Sequence, residues 1–391
     1  MMNRTLILLL TVATMAACSG EDEYSLDYFM EHYGAEAVDQ PDTLAVTITF
    51  DGLSATVTGA DQSDSVTVSR GAKSSDVIIN STLNRYLQLT LTGQTADGSL
   101  LIYSQRKLGI CLGGVDMTNT DGPAINNQCS KALYLTLADG TANTLTDGTA
   151  YADAPLNTDG TAIDQKGTLF SEGQIYVQGN GSLTVNGNAR NGIASDDYLV
   201  FEGGAVSVSV AATGSNGVKA NDGCTISGGT LTIDVAADGA RGIRCEAQTA
   251  INGGSTTITT KGDCRIETLD GVTDTTSCAG IKSDSLFTMT AGELRITSTG
   301  DGGKGINCSE NVEINGGTLV ITTTGSNDVG KPKGVKSDTG IILRGGSFSV
   351  SVNKSWACDN GTDSDIPADR LTIEGTPITK TIEKRLVHIE Y

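Results

Sequence analysis

Six cations recur at matched places in a repeating frame: Lys219, Arg241, Arg244, Lys282, Lys304 and Lys336. Each directly flanks a Gly-apolar pair, namely Gly217-Val218, Gly242-Ile243, Gly280-Ile281, Gly305-Ile306 or Gly334-Val335. Cations spaced in this way can meet the carboxylates of a polymer, arginine in bidentate fashion. Acids keep to the same frame. Asp196, Asp222, Asp284 and Asp338 follow the pairs, and Asp238 and Asp301 stand in Asp-Gly corners ahead of them. Carboxylates in register with corner carbonyls offer the hard oxygen ligands that Ca²⁺ takes. The competing reading is a solvated edge on which each charge is offset by an opposite neighbour.

Other chemistries are poorly supplied. The chain has two histidines in 391 residues, His32 and His388, so a histidine-based triad or a multi-histidine metal site is not expected. Acids outnumber bases 46 to 26, a net charge of −20, which argues against nucleic acid and anionic lipid as partners. Ten Tyr, six Phe and one Trp are too few for a broad platform that stacks neutral sugars; Tyr151, Tyr176, Tyr198 and Trp356 are the few candidates. No Cys spacing suggests a metal knuckle.

The frame that positions these charges is a repeat. Gly-apolar pairs begin at Gly192, Gly217, Gly242, Gly280, Gly305 and Gly334, at spacings of 25, 25, 38, 25 and 29 residues. Eight residues after each apolar partner comes another apolar residue: Phe201, Ile226, Ile251, Met289, Ile314 and Leu343. A Gly-Gly or Ala-Gly corner follows, then strict alternation such as Leu231, Ile233, Val235. Period two with β-branched residues means strand with one buried face. Equal offsets in every unit mean that each strand lies on its own copy in the next. This predicts an all-β, single-stranded, right-handed parallel β-helix with coils of roughly 25 residues. In that frame Cys245 and Cys308 fall in an inward column with Ser195, Ala220, Ser283 and Ser337, two coils apart and out of bonding range. Cys264 and Cys278 bracket the insertion that lengthens one spacing to 38, and a disulfide between them is expected.

The first 18 residues read as an export signal: Arg4, then an apolar stretch from Leu6 too short to span a bilayer. Thr14-Met15-Ala16-Ala17-Cys18 resembles a bacterial lipoprotein signal, which implies cleavage before Cys18 and its lipidation; an ordinary secretion signal cut near Ala17 is the alternative. An outer-membrane lipoprotein is the expected form. The acidic run Ser19–Glu23 suits display on the cell exterior or a plain tether. The domains expected are the signal at 1–18, an acidic tether and cap at 19–44, the β-helix at 45–353 and a C-terminal cap at 354–391.

Within the rod, "DGPAINNQCSKALYLTLADGTANTLTDG" (121–148), "GSLTVNGNARNGIASDD" (181–197), "ISGGTLTIDVAADGARGIR" and "GVKSD" resemble the bacterial carbohydrate-binding β-helix family. Its founding member is a surface protein that binds cellulose and acidic sugars on a pectate-lyase-like fold. The resemblance covers roughly 65–350 and implies bound calcium and polysaccharide binding without demonstrated lyase action. The family's "DGIKS" corners map onto Asp238-Gly239 with Gly242-Ile243-Arg244-Cys245, and onto Gly280-Ile281-Lys282-Ser283; Ala240-Arg241 are inserted in the first. The expected function is a calcium-supported, non-catalytic binder of polysaccharide, uronate-type or cellulose-like, acting as a monomer. A uronate lyase using Lys219, Arg241, Arg244 or Lys282 beside the acids is the enzymatic alternative. An adhesive stalk without a sugar site is the structural one.

Overall fold

The alternation written in each repeat becomes three stacked ladders of short parallel strands. The computed structural model describes residues 42–157, 160–269, 271–276 and 278–391. No α-helix occurs among them; stacked coils of about 25 residues form a β-solenoid of about 11 turns. In each regular coil one strand joins a 12-stranded sheet, here the first ladder, as do Arg241–Cys245, Ala279–Ser283 and Lys304–Cys308. Two more strands form a second ladder (Gln248–Ile251, Phe287–Met289, Val312–Ile314) and a third (Ser255–Thr260, Glu293–Ser298, Thr318–Thr323). These two belong to one 23-stranded sheet, because upstream Tyr86–Thr95 and Leu108–Asn119 run through both without a corner.

Identical offsets in sequence become lines in the core. Phe201, Ile226, Ile251, Met289, Ile314 and Leu343 pair in that order down the second ladder, all buried. The first ladder carries Ser195, Ala220, Cys245, Ser283, Cys308 and Ser337 in one inward line. The Gly of each Gly-apolar pair is a matter of contact. A Cβ at Gly280 would fall inside van der Waals reach of the Ile296 side chain and 2.8 Å from the Gly305 carbonyl oxygen. The same clash with a γ-methyl of the third ladder recurs at Gly217, Gly242 and Gly305, so the repeat needs a residue without a side chain there. At the corners the need is conformational: Gly229 has φ 71 and Gly239 φ 66.

Both ends depart from the expected boundaries. Ser54–Thr58 and Val66–Arg70 lie within the span expected to be parallel coils, yet they run antiparallel, against Thr43–Gly52 and Val77–Ser81. They complete hydrogen bonds that the first coil would otherwise leave open. The signal, lipidation at Cys18 and the tether up to residue 41 lie outside the described residues; Thr43 already begins a strand. At the other end Trp356–Asp359 is still a parallel strand, stacked on Lys333–Ser337, so the rod passes 353. Leu386–Glu390 then pairs antiparallel with Ser347–Val352 and closes the edge.

The insertion that makes the 38-residue spacing is a hairpin, Arg265–Leu269 against Val272–Thr276. The ladders bypass it, passing directly from Arg241–Cys245 to Ala279–Ser283. The disulfide expected at its base is not formed: Cys264 and Cys278 are buried free thiols. Cys278 Sγ instead donates to the Asp263 carbonyl at 3.0 Å, and the hairpin is held by its own ladder from Arg265–Thr276 inward. The other six described cysteines are free as well.

Candidate functional site

Outward residues of the first ladder form the charged edge. Ala194, Lys219, Arg244, Lys282, Asn307 and Lys336 pair in one line. Asn216, Arg241, Ala279, Lys304 and Lys333 form the neighbouring line at the strand starts. Successive members stand about 4.8 Å apart, the spacing of hydrogen-bonded strands.

The two lines differ in how their charge is met. Lys219 reaches Glu246 at 3.1 Å and the Asn221 carboxamide oxygen at 2.7 Å. Lys282 reaches Asp284 at 2.8 Å, Arg244 pairs with the same carboxylate, and Lys336 pairs with Asp338. Burial opposes ionisation of Asp284, but the hydrogen bonds from Lys282 and Arg244 more than offset it and hold its carboxyl below the usual range. For these four cations the offset-charge reading holds.

Arg241 and Lys304 are different. Both are partly buried, and neither makes an ion pair among the described residues. Arg241 Nε is sealed from solvent with no hydrogen-bond partner. Burial, then Arg244, pushes the Arg241 guanidinium down; burial pushes Lys304 down likewise. Lys333, in the same line, is buried but answered by Asp359, which Arg370 also holds at 2.7 Å.

The six carboxylates expected to hold calcium do not converge. Asp196, Asp284 and Asp338 share one column after the first-ladder strand, and Asp222 stands one residue further, level with Asp197 and Glu310. Asp238 and Asp301 lie at the opposite corner, ahead of the strand. Protein cations already meet three of the six: Lys166 binds Asp196 and, at 2.6 Å, Asp164; the other two are Asp284 and Asp338. With Glu172, Asp164 and Asp196 form a compact carboxylate group that neither the repeat nor its offsets pointed to. The Lys166 ammonium fills it, so these residues do not fit a metal.

The opposite corner carries a row of carboxylates on successive coils, and among the described residues their ligand atoms do not converge as those of Asp164, Glu172 and Asp196 do. Asp238 Oδ1 accepts the Asp263 N–H at 2.9 Å, Asp263 Oδ1 that of Asp301 at 2.7 Å, and Asp301 Oδ1 that of Ser326 at 2.9 Å. Asp238 and Asp263 are exposed and Asp301 is half-buried, and none has an ion pair among the described residues. Asp263 escaped the sequence reading because the 38-residue insertion follows it directly, although "KGD" at 261–263 holds the offset of the other Asp corners.

On the second ladder Tyr134 and Tyr176 stack, ring centroids 5.1 Å apart at 17°, with Tyr86 and Val200 packed against them. Both tyrosines are nearly buried, and Tyr176 is no stacking platform. Trp356 is sandwiched by Arg370 at 3.8 Å and Lys384 at 4.5 Å, and Tyr151 donates to Asp147 at 2.8 Å; both serve the fold. Tyr198 is exposed.

A solenoid with outward charges in register matches known proteins. The model of a family described as carbohydrate-binding domain-containing protein fits residues 73–264 and 239–329, together more than half of the chain. The chain belongs to this carbohydrate-binding domain family. A carbohydrate-binding domain-containing protein of Acetivibrio thermocellus is 32% identical over 120 residues, 30% of this chain and 40% of that protein. The chain thus spans about 40% of the length of the curated relative it matches. A solved structure of a polysaccharide lyase-like protein from C. thermocellum, a gadolinium derivative, superposes with a TM-score of 0.53 at 28% identity. It covers 71% of this chain and 96% of that one. Carbohydrate binding and the lyase-like β-solenoid are therefore properties of the family and of a structural relative, and they agree with the rod described above.

Proposed function

We propose that this member of the carbohydrate-binding family is an exported lipoprotein, anchored through Cys18 in the outer membrane, that binds acidic polysaccharide along the first ladder without cleaving it. The observation that carries the uronate reading is that Arg241 and Lys304, both partly buried, make no ion pair among the described residues. Burying a cation without a partner is costly, and a carboxylate ligand would supply one. The two stand two coils apart, roughly 10 Å, with only the small Ala279 between them in their line. A uronate chain laid along the rod can present one carboxylate to each. Arg244, Lys219, Lys282 and Lys336 flank this pair and contribute by exchanging their present partners.

Calcium at the opposite corner would bridge neighbours in the row Asp238, Asp263 and Asp301, none of which has an ion pair among the described residues; when bound it would supply positive charge at a corner that is otherwise acidic. Retention of the protein in native gels containing polygalacturonate tests the reading. Arg241→Ala and Lys304→Ala should each weaken retention about tenfold, and Lys336→Ala, whose charge is already met, much less. EDTA should weaken it further in the native chain and not in Asp238→Asn/Asp301→Asn. Equal retention of all variants would end the uronate reading, and Cys18→Ser should move the protein out of the membrane fraction.

The lyase-like relative keeps a second reading in view. Its support in this chain is Lys304, an amine held below its usual pKa by burial, with Arg241 two coils along the same line as a carboxylate clamp. Ultraviolet absorbance of an unsaturated uronate product would establish it; none across a uronate panel would dismiss it.

A further inference from the structure

The base of the inserted hairpin gathers two thiols and two cations. Cys264 leads into the hairpin and Cys278 follows it, and both are buried, 6% and 0% exposed. Each sulfur touches the backbone beside the other. Cys278 Sγ donates to the Asp263 carbonyl, next to Cys264, at 3.0 Å. Cys264 Sγ accepts the Cys278 N–H. The N–H groups of Gly239 and Ala240, on the coil before, reach Cys278 Sγ.

Glycine makes the room on the following coils. A Cβ at Gly302 would overlap Cys264 Sγ, and one at Gly330 would lie 3.0 Å from it. The φ of Gly330 is outside the left-handed region, so contact with the sulfur, not conformation, asks for glycine there.

The cations are Arg241 and Lys304. The Lys304 N–H donates to the Cys278 carbonyl at 2.9 Å, which sets the residue on the coil after the thiols. Arg241 pairs with Ala279, the neighbour of Cys278, on the coil before. Burial pushes both thiols up, Cys278 to about 11. At Cys264 the charge of Lys304 opposes this more than Asp263 and Asp301 add to it, and at Cys278 Arg241 opposes it. The two partly buried cations that make no ion pair among the described residues therefore both stand beside the thiol pair.

A thiolate pair is a soft ligand set. Structural zinc is tetrahedral, and among the described residues no third His, Cys, Asp or Glu joins the two sulfurs. A soft monovalent cation accepts two. The exchange balances without an oxidant: one metal–sulfur bond forms at each thiol, two protons leave, and the complex carries one negative charge. That charge, held away from water, needs opposite charge nearby.

We propose that Cys264 and Cys278 form a two-coordinate site for a soft monovalent cation of the copper(I) class, with Lys304 and Arg241 balancing the charge of the complex. The site goes beyond polysaccharide binding and does not depend on it, although it shares these two cations with the uronate reading.

Silver(I), which keeps its oxidation state on thiols, is the probe. The full protein, kept reduced, is mixed with silver nitrate and dialysed against methionine as a weak competitor. One ion per chain should remain, with a new ultraviolet sulfur-to-metal band, and melting should rise by about 5 °C because the ion ties the two ends of the hairpin. Cys264→Ser and Cys278→Ser should each lose the ion and the shift, yet keep retention by polygalacturonate. Cys245→Ser, in a core line where serine fills equivalent coils, should keep the ion. Lys304→Met should weaken silver affinity about tenfold and Lys304→Arg should not. Unchanged melting of each variant without silver shows that it folds. Silver retained by Cys264→Ser/Cys278→Ser overturns the site. So does an unfolded, unreduced chain in which alkylation misses both cysteines because they are joined. Equal silver affinity in Lys304→Met overturns the charge balance on which the site rests. Each of these leaves the uronate reading standing, whereas a silver-binding chain that polygalacturonate does not retain overturns that reading alone.

Discussion

Asp359 shows at the residue scale how this rod keeps a charge inside. Its side chain is 15% exposed between Lys333 and Arg370. Burial alone would raise its carboxyl, but the hydrogen bond from Lys333 and the charges of Lys333 and Arg370 hold it below the usual range. A carboxyl lower in the folded state than in the unfolded chain stabilises fully above the unfolded value. That contribution is lost as pH falls through the folded one. Thermal melts of the native chain should therefore weaken below about pH 4. Asp359→Asn should flatten that acid limb and cost about 3 kcal/mol at neutral pH, because two buried cations lose their partner. Asp147 has the opposite slope. It is 2% exposed, and burial raises it despite hydrogen bonds from the Asn188 N–H and the Tyr151 hydroxyl. Its contribution falls as pH rises through the raised value. Asp147→Asn should remove that loss, read as a higher melting temperature relative to the native chain on the neutral side than on the acid side. Burial pushes the Cys308 thiol up to about 11 and that of Cys358 up to about 12.

At the scale of the element, the strand that begins Gly-apolar is the part with least room for change. Gly280→Ala would put a methyl group against Ile296 and the Gly305 carbonyl. Such overpacking costs roughly 1–3 kcal/mol and should appear as a lower denaturant midpoint with an unchanged slope. The hairpin Arg265–Leu269 and Val272–Thr276 is the contrasting element. All three ladders pass it by, and Ile266 is 62% exposed. Replacing residues 265–276 with a short polar link should leave the melting temperature within a degree or two of the native value, since surface changes clear of the core move stability little. A large loss would mean that the hairpin supports the coil beneath it.

At the scale of the molecule, a stack of coils is stable only if its ends are closed. Ser54–Thr58 and Val66–Arg70 close one end, Leu386–Glu390 the other. Removing residues 377–391 would bare the edge of Ser347–Val352. The shortened chain should associate end to end in light scattering, where the full chain does not.

Much of this was legible in the residues themselves. Equal offsets at Ile226, Ile251, Met289 and Ile314 can be satisfied in one way, by stacking in register, so coil length, the buried lines and the two cation lines follow from spacing alone. The ends were less legible, because a strand that closes an edge carries no repeat and Val66–Arg70 alternates as any strand does. The pairing of charges was not legible either. Offsets say that Arg244 and Lys282 share a line, but only side-chain reach decides that both meet Asp284 while Arg241 and Lys304 make no ion pair among the described residues. The sequence by itself determined that the chain winds into a parallel solenoid, since a period of two inside a period of 25 leaves no other way to bury the apolar face. Tertiary structure alone decided which charges pair and that Cys264 and Cys278 come together beside Lys304, because those outcomes depend on distances between coils that no single repeat contains.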